Sequence, residues 1–319
     1  MERPNEIETR DGTIIPLKKL EVSDGIVITP PYTGISYDDF QDRMILRQLV
    51  RAFYRQQADR IRMGNQFDAL LRADYIPVDK ANILRAQVLG IIEDGEKALV
   101  KQIEKTLKKE PIWTEFCVHV PGIGPKITAS LIGEALHPLR FLTVSSYWKW
   151  SGLDVRDGRA PRRKPGEKAN WNQWMRRTAY MIGKCFVRTG KGLGAELYHE
   201  YREKMIRLNR GIVFCEKCKS TKGGPLQIYV GPGESPPDGC PKCGRPMLWN
   251  QAHQDLAAVR YAAKIFLACF LAKWREQAGL QTPDPYILAK EPKLHTHKYS
   301  PEDFMVKKLK RGSKRGVKK

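Results

Sequence analysis

Four cysteines fall into two close pairs, Cys215-Glu-Lys-Cys218 and Cys240-Pro-Lys-Cys243, with 21 residues between the pairs. Each Cys-x-x-Cys closes a turn that aims two thiolates at one ion, and two such turns supply the closed tetrahedral set of a structural zinc site. No fifth ligand or open position accompanies them, so the expected cofactor is structural zinc rather than a catalytic ion. A redox role would need only one pair. Ile228-Tyr-Val230 reads as a ribbon strand, and Gly244 lets the chain turn away after the second pair. Lys217, Lys219, Lys222, Lys242 and Arg245 lie close enough in sequence to touch a phosphate.

A second constellation is Val120-Pro-Gly-Ile-Gly-Pro125, followed by Lys126 and by apolar residues at helical spacing, Ile127, Leu131, Ile132 and Ala135. Gly122 and Gly124 free the main chain to turn tightly with its N–H groups exposed, and Pro125 suits the first turn of a helix. Exposed amides and the positive helix end favour a phosphate oxygen, with Lys126 adding a formal charge. This is the logic of a helix-hairpin-helix clamp on a nucleic-acid backbone. Read blandly, the same residues are a tight turn between two packed helices.

The third feature is a cationic loop and the helix after it. Asp154 to Lys168 holds Arg156, Arg159, Arg162, Arg163, Lys164 and Lys168, with Pro and Gly keeping the cations extended. A helix starting near Asn170 then carries Trp171, Trp174, Arg176, Arg177, Tyr180, Lys184 and Arg188. Arginine interleaved with tryptophan permits phosphate pairing and base stacking together. The bland alternative places the tryptophans in the core and the arginines in water.

Composition agrees with a polyanion partner. The chain has 319 residues, a formal net charge of +21 and 41% hydrophobic residues, which describes a folded protein of two or three domains that repels itself unless an acidic polymer is nearby. Arg260, Lys264 and Lys273 interrupt the best apolar stretch, so no membrane span is expected, and Met1-Glu-Arg-Pro opens no signal peptide. The expected compartment is the cytoplasm, at the nucleoid of a prokaryote or in a virus-infected cell. Cys117, Cys185 and Cys269 lie singly in apolar surroundings, as reduced core thiols do.

These features need elements to hold them. Residues 1–36 read as short strands or an extended arm. Residues 37–110 read as a long, coiled-coil-like helical hairpin: Met44, Leu46, Leu49, Val50, Phe53, Ile61, Phe67, Leu70 and Leu71 form one stripe. Ile83, Leu84, Val88, Ile91, Ile92, Leu99, Val100, Ile103 and Leu107 form the other. Such stripes are packing surfaces, within the chain or between copies in a homo-oligomer. Residues 111–210 and 249–280 form the hairpin-bearing domain, 211–248 the ribbon inserted into it, and 281–319 a basic, disordered tail. A strongly apolar helix over 250–278 carries Leu256, Val259, Ile265, Phe266, Leu267, Phe270, Leu271 and Trp274 as core, with His253 near its start as a cap or packing residue. The fold class is mainly α with a small inserted β ribbon.

The order Val120-Pro-Gly-Ile-Gly-Pro with its helix, Phe141, Tyr147 through Gly152-Leu153, a basic loop, and a helix with Arg176-Arg177 resembles a known family. It is similar to the C-terminal domain of the insertion-sequence one-ten class of transposases, whose members include bridge-RNA-guided recombinases. Ala252 to Leu267 looks like that domain's closing helix, and the resemblance covers roughly 115–200 and 250–275. It implies DNA handling by a helix-hairpin-helix domain. The family also has a RuvC-like domain with metal-binding acids and a serine nucleophile in the loop after Gly-Leu. Here long helices precede the hairpin, and Asp24 is the nearest match to a strand-borne acid. No hydroxyl occurs between Leu153 and Thr178, and the serine's place falls near Arg159-Ala160-Pro161.

The expectation is therefore DNA binding without chemistry. A transposase or recombinase subunit is one alternative, using a partner's catalytic domain or Ser145, Ser146 or Ser151. An RNA-binding or assembly protein of a mobile element or virus is another, with structured RNA as partner.

Overall fold

A computed structural model describes residues 39–155, 160–163, 165–221, 224–231, 233–282 and 299–305, together with the backbone of residues 37–38 and of four short strands before them. The fold is mainly α, with two two-stranded antiparallel pairs at the start of the chain and one three-stranded antiparallel sheet between the later helices. The strands at the start are β1 (Glu6–Glu8) paired with β2 (Ile14–Pro16), and β3 (Leu20–Glu21) paired with β4 (Val27–Ile28). Among the described residues no helix is long and apolar enough to cross a membrane.

Helix α1 (Tyr37–Arg72) and helix α2 (Val78–Leu107) pack along each other, joined by a turn in which Asp74 has φ 53° and Pro77 starts α2. Their stripes are buried only at the base, where Leu46, Val50, Ile103 and Leu107 enter the main core. Farther out, Ile61, Ile83, Leu84 and Ile91 are exposed. The sequence placed them in two apolar stripes, expected to pack within the chain or between copies. Two helices cover only one side of each other, and among the described residues no third layer covers the outer half. There, ion pairs cross the hairpin: Arg60 donates to Glu96 at 2.8 Å, and Arg85 pairs with Asp68.

The chain then passes through a π-helical turn (Ile112–Phe116) and a 3-10 turn (Cys117–His119) into the glycine hairpin and helix α3 (Pro125–Ala135). α3 is buried from Ile127 to Ala135. Gly133 permits this, because a Cβ there would lie 2.7 Å from the backbone nitrogen of Arg47 on α1. Helix α4 (Val144–Trp150) follows, its start capped by Thr143, whose hydroxyl accepts from the Ser146 amide at 3.1 Å.

Helices α5 (Gln173–Thr189), α6 (Leu193–Arg207) and α7 (Gln251–Gln277) close the core around α3. α5 begins three residues later than expected. Asn172 is the cap, its side chain accepting from Met175 N–H at 3.0 Å, so Trp171 precedes the helix. Along α7 the expected core residues are buried or half-buried except Leu256, which is 42% exposed. Aromatic rings knit the centre: Phe266 stacks on Phe116 at 6.0 Å and meets Phe186 edge-on at 5.6 Å. A third ring corrects the tail assignment. Residues 299–305 return to the core through a 3-10 turn (Pro301–Phe304) that places Phe304, 1% exposed, against Phe266 at 5.6 Å. Burying one Phe is worth roughly 1.5–3 kcal/mol, enough to dock a short segment of an otherwise basic tail. The remainder of the predicted tail, residues 283–298 and 306–319, lies outside the described residues.

Buried acids organise the arginines of α1. Glu134 on α3, 4% exposed, accepts from Arg51 at 3.0 Å and from Asn172 Nδ2 at 3.0 Å, and pairs with Arg47 at 3.4 Å. Glu110 accepts from Arg43 at 2.7 Å. These cations are structural.

Candidate functional site

Between α6 and α7 the chain forms a three-stranded sheet in the order β6–β5–β7, with β5 at Gly211–Lys219, β6 at Pro225–Val230 and β7 at Leu248–Trp249. The β5–β6 register jumps from Cys215↔Leu226 to Lys219↔Pro225, so Glu216 to Cys218 bulge out and turn the first cysteine pair inward. The second pair sits in a tight turn, where Cys243 N–H and Gly244 N–H both donate to Cys240 C=O, at 3.2 and 2.8 Å. The Sγ atoms of Cys215, Cys218, Cys240 and Cys243 lie within 4.8 Å of one another, with Cys215 and Cys243 3.7 Å apart. Ligands about 2.3 Å from a tetrahedral zinc stand about 3.8 Å apart, so the four thiols fit a metal ion. Their protonation agrees. A hydrogen bond with Cys243, above all, pushes the Cys218 thiol up to about 12. Burial also raises Cys240, but the amides of Lys242 and Cys243 and the neighbouring thiols outweigh it and bring it down to about 7. Four thiols this close cannot all ionise unless a cation neutralises them.

The hairpin is built as its sequence indicated. Val120 C=O accepts from Ile123 N–H at 3.1 Å to close the turn, and Gly124 caps α3, its carbonyl accepting from Ile127 and Thr128 at 3.1 Å. Val120, Ile123 and Ile127 face the core. Gly122 adopts φ +87°, and a Cβ there would meet Thr189 Oγ1 at 2.9 Å and Cys185 C=O at 3.1 Å, so the tip rests on the end of α5. On its other side Pro121 abuts Gly192 at the start of α6. Among the described residues, the amides of Gly122, Gly124 and Lys126 find no acceptor.

The sequence named Lys126, Arg177 and Arg188 but not the aromatic rings that hold the first two. Lys126 lies across Phe53 of α1, its Nζ 4.3 Å from the ring centroid. Arg177, exposed, sits 4.2 Å over Tyr54 of the same helix. Arg188, also exposed, acts with Lys126 on the thiol of Cys185, which burial nonetheless raises. Tyr54 feels both Arg177 and Cys185, while burial keeps its hydroxyl protonated above the usual tyrosine range. Lys126, Arg177 and Arg188 thus share one face with the hairpin, and none forms an ion pair among the described residues. Phe53 and Tyr54 went unrecognised because they sit more than 60 residues before α3 in a stripe that reads as packing.

Other predicted contact residues have different places. Arg176 is a staple: its Nη1 donates to Pro161 C=O at 2.7 Å and its guanidinium covers Trp171 at 4.8 Å. Its chain also fills the space beside Gly152. It therefore holds the loop rather than facing solvent. Lys184 pairs with Asp255 at 3.0 Å, away from the hairpin. Arg162 and Arg163 are exposed without an ion pair among the described residues, and Lys168 is on the loop surface. Arg156, Arg159, Lys164 and Lys222 lie outside the described residues.

A further cationic cluster lies near Arg176 and Asp154. Burial, then Arg176, lowers Arg260, while burial, then Arg260, lowers Lys264; Asp154 is the carboxylate that opposes both shifts. Lys264 rests 5.0 Å from the centroid of Trp148, whose Nε1 donates to Lys264 C=O at 2.9 Å. Half-buried like charges with one acid between them favour an anion nearby. The sequence showed Arg260 and Lys264 only as interruptions of an apolar helix.

Two of the three candidate serines have clear places in the fold. Ser146 Oγ donates to Thr143 C=O at 2.7 Å as part of the α4 cap, and Ser151, 0% exposed, has its hydroxyl enclosed in the core. Neither the protein-family models nor the curated proteins compared with this chain contain a match.

Proposed function

We propose that this protein binds nucleic acid, DNA foremost, by gripping the phosphate backbone without reading its sequence. The observation that carries this is the hairpin face. Three main-chain N–H groups without acceptors and three cations without acids, among the described residues, converge there, in a protein whose buried arginines are mostly paired. Amides and a helix N-terminus take a phosphate oxygen, and Lys126, Arg177 and Arg188 neutralise the neighbouring phosphates. Tyr54 and Trp174, which flank Arg177, add aromatic edges beside the strand. The loop cations Arg162, Arg163 and Lys168 extend the track over the Arg260 and Lys264 cluster.

In this reading the cysteine cluster holds zinc in a purely structural role: Cys215, Cys218, Cys240 and Cys243 close its coordination and fix the ribbon against α7. The resemblance to insertion-sequence transposases supports DNA as the polymer. The wet apolar residues of α1 and α2 supply a contact between copies on the same DNA.

Fluorescence anisotropy with random-sequence duplex DNA and with a structured RNA tests the reading. Binding to DNA at moderate salt, falling steeply as salt rises and indifferent to sequence, is the expected result. Absence of binding to either polymer rejects it. Cleavage or joining of DNA, or a serine-linked adduct, would replace it with a recombinase.

A further inference from the structure

Where α6 ends and α7 begins, strand β7 leaves a recess of about 190 Å³. Its walls are Arg202 and Ile206 on α6, Asn209 in the following turn, Trp249 on β7, and Gln251 and Gln254 at the start of α7. The volume is below the roughly 300 Å³ where drug-sized pockets begin, so a fragment-sized occupant fits. The walls are fixed by the fold. Trp249 is registered opposite Val213 of β5, Asn250 N–H donates to Ile212 C=O at 2.7 Å, and Gln254 Nε2 donates to Arg210 C=O at 3.2 Å.

Their chemistry is specific. Trp249 offers a half-buried aromatic face and Ile206, 46% exposed, an aliphatic edge. The carboxamides of Asn209 and Gln251 make no hydrogen bond among the described residues, so each presents a donor and an acceptor. Arg202 forms no ion pair among the described residues; the acid in its electrostatic reach, Asp255, is already engaged by Lys184 and Tyr198. A planar heteroaromatic ring with donors and acceptors on its edge, attached to an anion, satisfies all of these groups.

We propose that this recess takes a single unpaired nucleobase from the strand held at the hairpin, a site that rests on the nucleic-acid reading above. The spacing is suitable. α6 starts at Gly192 against the hairpin and ends at the recess, and its 15 residues span about 22 Å at 1.5 Å each. At about 3.4 Å per nucleotide this is six or seven positions along a strand. The base stacks on Trp249, Asn209 and Gln251 bond its edge, and Arg202 takes the adjoining phosphate.

The test compares a DNA duplex carrying one unpaired 2-aminopurine with the same duplex fully paired. The intact protein is expected to bind the first about tenfold more tightly and to quench its emission. Trp249→Ala should abolish preference and quenching while binding paired duplex as before, and Trp249→Phe should keep both in part. Retained zinc shows that the ribbon of Trp249→Ala is folded; if zinc is lost, Gln251→Ala, an exposed helix position, decides by weakening the preference severalfold. Equal affinity for the two duplexes, or a preference that survives these substitutions, overturns the proposal and leaves the backbone reading intact. Reversal of quenching by free deoxyadenosine monophosphate would assign the recess to a free nucleotide and overturn the strand-borne site. Failure to bind either duplex removes both.

Discussion

The ribbon and the hairpin face present charge and sulfur in opposite ways. In the ribbon, four residues named by spacing alone meet within 4.8 Å, because each pair is local and an ion can hold only one geometry. At the hairpin face, the backbone turn was equally local, but the cations around it were set by packing between distant helices. Arg176 and Arg177 are neighbours in sequence, yet one is tied to Pro161 C=O and the other lies over Tyr54. A count of arginines measures total charge. It does not say which charges are held by the fold and which are offered to a partner.

The largest expected effect separates the two regions thermodynamically. Removing metal with a chelator, or making Cys240→Ser, should unfold the ribbon, since structural zinc contributes on the order of 10 kcal/mol to such modules. Hydrogen exchange should then show lost protection over β5 and β6 with α7 still protected. Collapse of both regions together would mean that the ribbon is part of the core rather than attached to it.

The structural arginines come next. Glu134→Ala leaves Arg47 and Arg51 without their shared buried carboxylate, and breaking such a set costs about 3–5 kcal/mol. Thermal unfolding should show a clear drop in Tm. An unchanged Tm would return these arginines to the pool available for DNA.

A smaller effect follows from His137, 6% exposed, where burial, then Arg43 and Arg275, brings the imidazole from 6.5 to about 4. Between those values the unfolded chain takes up a proton that the folded chain refuses. Stability should therefore fall as pH drops from about 6.5 to about 4, by at most about 3 kcal/mol, and His137→Gln should flatten that part of the profile. Denaturant titrations across this range check it.

The finest distinction is between adjacent residues. Arg176→Gln should lower stability by about 1 kcal/mol through the lost loop contact. Arg177→Gln should stay within about 0.5 kcal/mol of the parent in stability while weakening DNA binding. Identical behaviour of the two variants would erase the difference drawn between held and offered charge.

Much of the fold was legible because its signals were periodic or local. The long helices, the turn at 120–125 and the cysteine pairs belong to that class. The outer halves of the α1 and α2 stripes were legible as apolar, but apolar spacing reports a face and not whether the chain itself covers it. Phe304 was hidden in a basic tail, where one ring outweighs its charged neighbours only once the pocket between Phe186 and Phe266 exists. The roles of individual cations were the least legible. They depend on Glu134, Phe53, Tyr54 and Pro161 C=O, which engage Arg47 and Arg51, Lys126, Arg177 and Arg176 across the fold.

The most direct test of the hairpin clamp is the salt dependence of duplex binding for the parent and for Lys126→Gln, Arg177→Gln and Arg188→Gln combined. Each phosphate contact contributes a slope of about 0.9 in log K against log salt, so the triple variant should lose about 2 to 3 units of slope while keeping its Tm. A slope equal to that of the parent would place the nucleic acid elsewhere on the protein and contradict the clamp.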